Sequence, residues 1–284
     1  RWESPFYRGE RKSFPQPRWD GSPLEGKTLF LHCEQGIGDT LQMVRYARPI
    51  ADLGGKLILE CQGGLKSLLD TMPWFDSVIA EGEARPAFDL QAPLMSLPHI
   101  LGTTIETIPG EVPYLWPPEN PEISAAVSAP PGAPRIGLVW AGNPEHHNDR
   151  NRSVPLEKFG PLLRMENVRF FSLQVGATAK QIGELGLEDR LIDLGGRLTD
   201  FSVTASAAGR LDLLITVDTA TAHLTGAMGK PVWTLLPFVP DWRWLMERED
   251  TPWYPSMRLF RQKTIGDWDT VVREVKENLA QWRP

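Results

Sequence analysis

The sequence predicts an α/β protein of two domains, each a parallel sheet crossed by helices. Apolar runs of strand length alternate with stretches of helical period from Lys27 onward. A Pro- and Ala-rich stretch, Pro109 to Pro134, interrupts that alternation near its middle. The length, 284 residues, exceeds what one ordinary core organises and suits two domains. Strands separated by helices pair in parallel through crossovers, right-handed by the twist of the strands. The halves share this rhythm but not their sequence, and no short-period repeat is visible.

Residues 1–26 carry Pro, Arg and aromatic side chains (Trp2, Phe6, Tyr7, Phe14, Trp19) without a sustained period, as an extended segment or linker does. The first domain, 27–125, opens with a strand from Thr28 to Cys33, a turn from Glu34 to Asp39 and an amphipathic helix from Thr40 to Leu53. Lys56 to Cys61, Ser77 to Ala80 and Phe88 to Ala92 read as further strands, with a helical pattern from Leu65 to Thr71. The second domain, 126–264, restarts with a strand from Arg135 to Trp140. Strands follow at 168–174, 191–194, 211–217 and 232–236, with helical patterns at about 156–165, 178–186, 200–209 and 219–228. A last helix, from about Asp267 to Trp282 within 265–284, is expected to cross back onto the first domain.

Hydrophobic residues make up 41% and charged residues 23%, the balance of a globular chain. A formal net charge of −6 argues against a broad nucleic-acid or anionic-membrane surface and leaves room for a local anion pocket. The longest apolar runs are strand-sized, far short of the roughly 18 residues a membrane span needs. Cys33 and Cys61 alone exclude a disulfide framework and a four-thiolate metal site, and fit a reducing, cytoplasmic setting. The chain starts at Arg1 with no initiator Met and no targeting stretch, and reads as a piece of something longer.

Three constellations could carry chemistry. Gln35-Gly36-Ile37-Gly38-Asp39-Thr40 follows the first strand and opens a helix, where glycines let a ligand approach the backbone and helix N–H groups face an anion. Asp39 would repel a phosphate there. It suits a general base at the carboxyl edge of the sheet, or a helix cap, and the two roles are compatible. A dinucleotide fingerprint needs a third glycine that this turn lacks. Asp218-Thr219-Ala220-Thr221-Ala222-His223 also joins a strand to a helix, where small residues and hydroxyls admit a diphosphate to free N–H groups. The plainer reading makes Asp218 or Thr219 a cap and His223 a core residue. The loop from Trp140 to Ser153 holds Asn143, His146, His147, Arg150 and Arg152, and two arginines can neutralise a leaving diphosphate. Gln174, ending the next strand, is grouped with them. Adjacent histidines seldom converge on a metal, and none is expected. The aromatic block from Pro237 to Leu245, with Trp253-Tyr254, suits a sugar or base pocket or plain packing. Asp267-Trp268-Asp269 spells a D-x-D but stands at a helix start, where capping explains it.

Together these residues resemble the bacterial glycosyltransferase domain that follows tetratricopeptide repeats, a relative of the heptosyltransferases of glycosyltransferase family 9. The resemblance covers nearly everything from Trp19 onward. Its carriers are Glu34-Gln-Gly-Ile-Gly-Asp-Thr40, Val139-Trp-Ala-Gly-Asn143, Asn148-Asp-Arg-Asn-Arg-Ser153, Val217-Asp-Thr-Ala-Thr-Ala-His223 and Leu236-Pro-Phe-Val-Pro-Asp-Trp-Arg-Trp244. It implies a GT-B fold, two Rossmann-like domains facing a cleft, with the nucleotide-sugar donor on the second domain, a protein or glycan acceptor on the first, and neither metal nor cofactor. Asp39 matches the family's proposed base, with Gln35, Gly36 and Gly38 in the acceptor-side loop. Arg152 falls near a phosphate-binding lysine, and the turn from Asp218 to His223 matches the donor diphosphate site, with Ala220 where the family often has Gly. The implied activity is metal-independent sugar transfer. A non-catalytic binding module and a nucleotide-sugar epimerase of the same fold are the alternatives.

Overall fold

The computed structural model describes residues 12–284, so Trp2, Phe6 and Tyr7 of the expected extended segment lie outside the described residues. The chain divides between Pro109 and Gly110, earlier than the boundary expected at 125. Prolines mark a stretch without a sheet of its own, but they do not say which core it joins. The N–H groups of Tyr114 and Leu115 donate to the Ala227 carbonyl at 2.9 and 3.3 Å, which ties this stretch to the second unit. The helix Pro121–Ala126, capped by the Asn120 side chain, packs there on the helix Phe201–Arg210.

In the first unit, β1 (Thr28–His32), β2 (Lys56–Cys61), β3 (Ser77–Ala80) and β4 (Leu90–Pro93) lie in the order β3-β2-β1-β4, every neighbouring pair parallel. Because side chains alternate along a strand, Leu29, Leu31, Leu57 and Leu59 are buried on one face. Phe30, Ile58 and Ile79 form the other core with Phe14 and Phe88. The described part of the N-terminal segment runs beside β4: the Trp19 N–H donates to Gln91 O at 2.9 Å and the Gln91 N–H to Pro17 O at 3.1 Å.

The second unit holds β5 (Arg135–Val139), β6 (Arg169–Ser172), β7 (Leu191–Asp193), β8 (Leu213–Val217), β9 (Val232–Leu236) and β10 (Met257–Arg261). Their order is β10-β9-β8-β5-β6-β7, again all parallel. Strands covered on both faces need continuous apolar runs, and β8 and β9 are buried throughout. β10 went unforeseen because Arg258 and Arg261 break its run, which an edge position tolerates.

The last helix, Trp268–Gln281, buries Trp268, Val271, Val272, Val275 and Leu279 in the second unit's core, where the sequence pointed it toward the first. The Asp267 side chain accepts from Thr270 N at 3.1 Å and Asp269 pairs with Lys158, so the D-x-D is a cap and a surface pair. No helix among the described residues is long and apolar enough to cross a membrane.

Strand order reverses between β1 and β4 in one sheet and between β5 and β8 in the other. Open parallel sheets take ligands beyond the carboxyl ends of their strands at such reversals. The turns after β1, β5 and β8 leave from those two places.

Candidate functional site

In the first unit the helix after β1 is Ile37–Met43, followed by a 3-10 turn and the helix Ala47–Ala51. It starts three residues before the expected Thr40 because Asp39 supplies a cap from within its first turn. The Gly36 N–H donates to Asp39 Oδ2 at 2.8 Å, and the carboxylate neutralises the N-terminal end of the helix. Gly38 is thereby helical, and Gly36 sits at φ −70°, a conformation open to any residue. The turn is braced from behind. Thr40 Oγ1 donates to Gln62 Oε1 at 2.9 Å, and Gln62 Nε2 donates to the Gln35 carbonyl at 2.8 Å. Gln35, Gly36, Gly38 and Asp39 are thus held as one acid-bearing turn, with Asp39 half-buried.

In the second unit β8 leads through Asp218 to the helix Ala220–Ala227. Thr219 stands at its N-cap in extended conformation without capping it, since its hydroxyl lies 3.1 Å from that of Thr216. The Ala222 N–H is satisfied by Thr219 O at 3.0 Å, while those of Ala220 and Thr221 meet no acceptor among the described residues. Thr219, Ala220 and Thr221 are partly exposed, so this end of the helix is open.

Beside it lies Arg152, from the loop after β5. Its Nε donates to Asp149 Oδ1 at 3.2 Å and its Nη1 to the Asp218 carbonyl at 3.0 Å, which fixes the guanidinium with Nη2 to spare. Gly142 makes room: a Cβ there would fall 2.5 Å from both Arg152 Nη2 and Asp149 Oδ1. Buried Gln174 accepts from Trp140 N and Ala141 N at 3.1 and 2.9 Å and donates to Val175 O, so it shapes this loop through the backbone. Gln181 adds a second brace, accepting from Trp140 Nε1 at 3.1 Å and Leu156 N at 3.0 Å. Asn143 turns its Oδ1 onto the Glu145 N–H, and Arg150 is exposed, with no hydrogen bond or ion pair among the described residues. The structure therefore gathers Arg152, Asp218, Thr219, Ala220 and Thr221 and leaves Asn143 and Arg150 at the rim.

His223 is a packed residue, its Nδ1 2.9 Å from Tyr254 Oη and its ring stacked on Trp244 at 5.3 Å. Burial pushes the Asp218 carboxyl above its ordinary range. Trp244 and the charges of Arg152 and Arg243 oppose that rise, and Asp241 adds to it. The buried Trp244 indole N–H meets no acceptor in good hydrogen-bond geometry, so its help to Asp218 is electrostatic. Burial, Arg152 and His147 hold His146 below its usual value, against the pull of Asp149 and Asp241. Among the described residues no three or more His, Cys, Asp or Glu are placed to hold a metal ion. Parallel pairing of β8 and β9 sets the loop after β9 alongside the turn after β8, and the Asp241 charge acts on both Asp218 and His146. Gln62 and Gln181 lie outside every motif read from the sequence, whereas Gly142 and Asp241 stand inside two of those motifs with no role assigned to them. Gly142, three residues past the end of β5, carried the clearer local signal.

No family model matches the sequence. It is 30% identical over 302 residues to Protein FlbA of Caulobacter vibrioides, an alignment covering 96% of this chain and 49% of the relative; the chain thus spans about half the length of that curated protein. A glycosyltransferase family 9 structure from Veillonella parvula superposes with a TM-score of 0.62 at 11% identity, covering 94% of this chain and 92% of that one. ADP-heptose lps heptosyltransferase II of E. coli gives 0.60 at 14% identity, covering 89% and 99%. E. coli heptosyltransferase WaaC with ADP-2-deoxy-2-fluoro heptose gives 0.59 at 13%, with coverage again 89% and 99%. At such identities the likeness is one of architecture, and the two parallel sheets share the GT-B fold of these enzymes.

Proposed function

We propose that this chain transfers a sugar from a nucleotide-sugar to an acceptor hydroxyl, and that the donor diphosphate binds at the helix N-terminus beginning at Thr219. The observation that carries the reading is the uncapped N–H pair of Ala220 and Thr221 standing beside a guanidinium already fixed by Asp149 and the Asp218 carbonyl. Such an end attracts phosphate oxygens, and a preorganised arginine stabilises the charge that develops as the diphosphate departs. That charge is assigned to Arg152 and the helix, with no metal. Fold likeness to family 9 enzymes, one of them holding an ADP-sugar analogue, supports the same class of donor.

Asp39 takes the other half of the reaction. Its carboxylate removes the proton of the acceptor hydroxyl as that oxygen bonds to the anomeric carbon; the bond from that carbon to the phosphate oxygen breaks, and the nucleoside diphosphate leaves with the electron pair. The acceptor class is a protein or glycan hydroxyl. Cys33 and Cys61 are free and buried, their thiols pushed up to about 12 by burial, which suits a reducing compartment such as the cytoplasm.

The test is turnover of a panel of nucleotide-sugars with and without protein and glycan acceptors. Asp39→Asn keeps an oxygen for the Gly36 N–H but removes the base, so the rate should fall roughly 10²- to 10⁴-fold with nucleotide affinity intact. Unchanged turnover in this variant would take Asp39 out of the chemistry. Binding without turnover in the wild type makes the chain a binding module, and acceptor-free conversion makes it an epimerase.

A further inference from the structure

We propose that the loop following β9 reads the donor's sugar, with Trp242 stacking on the ring's apolar face. The proposal rests on the donor site assigned above and adds the residue that recognises the transferred group.

β9 pairs with β8 in parallel, so the chain leaving β9 emerges next to the open helix end. The loop is unusual in what it shows to water: Trp242 is 56% exposed, Phe238 40% and Val239 64%. Trp242 is also held in place. The Arg243 guanidinium lies over its ring at 4.7 Å, and Trp253 meets it edge-on at 6.0 Å. An exposed ring braced on two sides loses little freedom when a ligand stacks on it. Asp241 accepts from the Arg243 N–H and Nη1 through Oδ1, at 3.1 and 2.7 Å, leaving Oδ2 for a hydroxyl. Leu245, directly after the 3-10 turn Trp242–Trp244, sits at φ 52°, a strained value for a branched side chain and one that recurs in functional loops.

Two chemistries of the donor could use a flat ring, its base and its sugar. Proximity favours the sugar. The charges of Asp241 and Arg243 both act on Asp218, whose carbonyl holds Arg152. The group bonded directly to the distal phosphate is the sugar, whereas the base lies beyond the ribose. A sugar also combines an apolar face for Trp242 with hydroxyl donors for Asp241, and an acid beside the phosphates themselves would repel them.

The experiment compares nucleoside diphosphates with their sugars (UDP and UDP-glucose, GDP and GDP-mannose, ADP and ADP-glucose) by calorimetry on the whole chain. A wild type that binds none of the six contradicts the donor site itself. Given binding, Trp242→Ala should leave the diphosphate affinity within about twofold and weaken the nucleotide-sugar roughly three- to tenfold, with Trp242→Phe restoring most of the loss. Equal losses for both ligands would assign the ring to the base, and no loss for either would remove it from the site; each result overturns the proposal.

Discussion

After β1 the carboxylate of Asp39 folds back onto the Gly36 N–H, whereas after β8 the hydroxyl of Thr219 turns toward Thr216 and leaves the helix end open. Both turns stand where strand order reverses, and both helices present the same partial positive charge. What separates them is the side chain in or before the first turn. One end is closed by its own acid and suits a neutral hydroxyl. The other, flanked by Arg152, suits an anion. Similar strand-to-helix turns therefore present two opposite electrostatic settings, and a few side chains decide which.

The sharpest way to break this contrast is to make the second end resemble the first. Thr219→Asp puts a capping carboxylate where the diphosphate is expected; it should weaken nucleoside diphosphate binding on the order of a hundredfold while leaving the melting temperature level or higher. Retained binding would mean the open N–H groups play no part. A smaller effect is expected from Gly142→Ala. Its methyl group displaces the ends of two flexible side chains, Arg152 and Asp149, so calorimetry should show a several-fold loss of affinity in a fully folded protein. Wild-type affinity would show that the guanidinium's present seat is immaterial.

A third contrast concerns stability beneath the acidic turn, and it is read as a pH dependence, not as a loss of affinity. His32 ends β1 where Val217 ends β8, and burial, aided by the Lys12 charge, lowers its pKa to about 4. A buried neutral imidazole stabilises the fold above its unfolded pKa, and that contribution is lost as pH falls from about 6.5 through about 4. Urea unfolding should therefore show His32→Gln losing less stability than wild type over that window, by up to on the order of 3 kcal/mol. Parallel curves for the two proteins would contradict the assignment.

Most strands were legible because parallel sheets buried on both faces demand continuous apolar runs, as in β8 and β9. The exception, β10, is an edge strand whose arginines imitate a loop. Glycines misled at the other end: Gly36 and Gly38 read as open turn, yet the Asp39 cap starts the helix at Ile37, with Gly36 at its N-cap and Gly38 inside it. Arg152 and Thr219 could be picked out because each follows a strand at the expected edge. Their supports could not. Gln62 and Gln181 act by hydrogen bonds to residues between 22 and 41 positions away, a separation that no local period records. Asp241 was visible only as one member of an aromatic block, since its reach to Asp218 depends on β8 and β9 lying side by side.

The most direct measurement is nucleoside diphosphate affinity in Asp39→Asn and Arg152→Ala, set against wild type. Asp39→Asn should bind as wild type does, and Arg152→Ala should bind about ten- to a hundredfold more weakly. Full affinity in Arg152→Ala, or its loss in Asp39→Asn, would contradict the division of labour between the two helix ends.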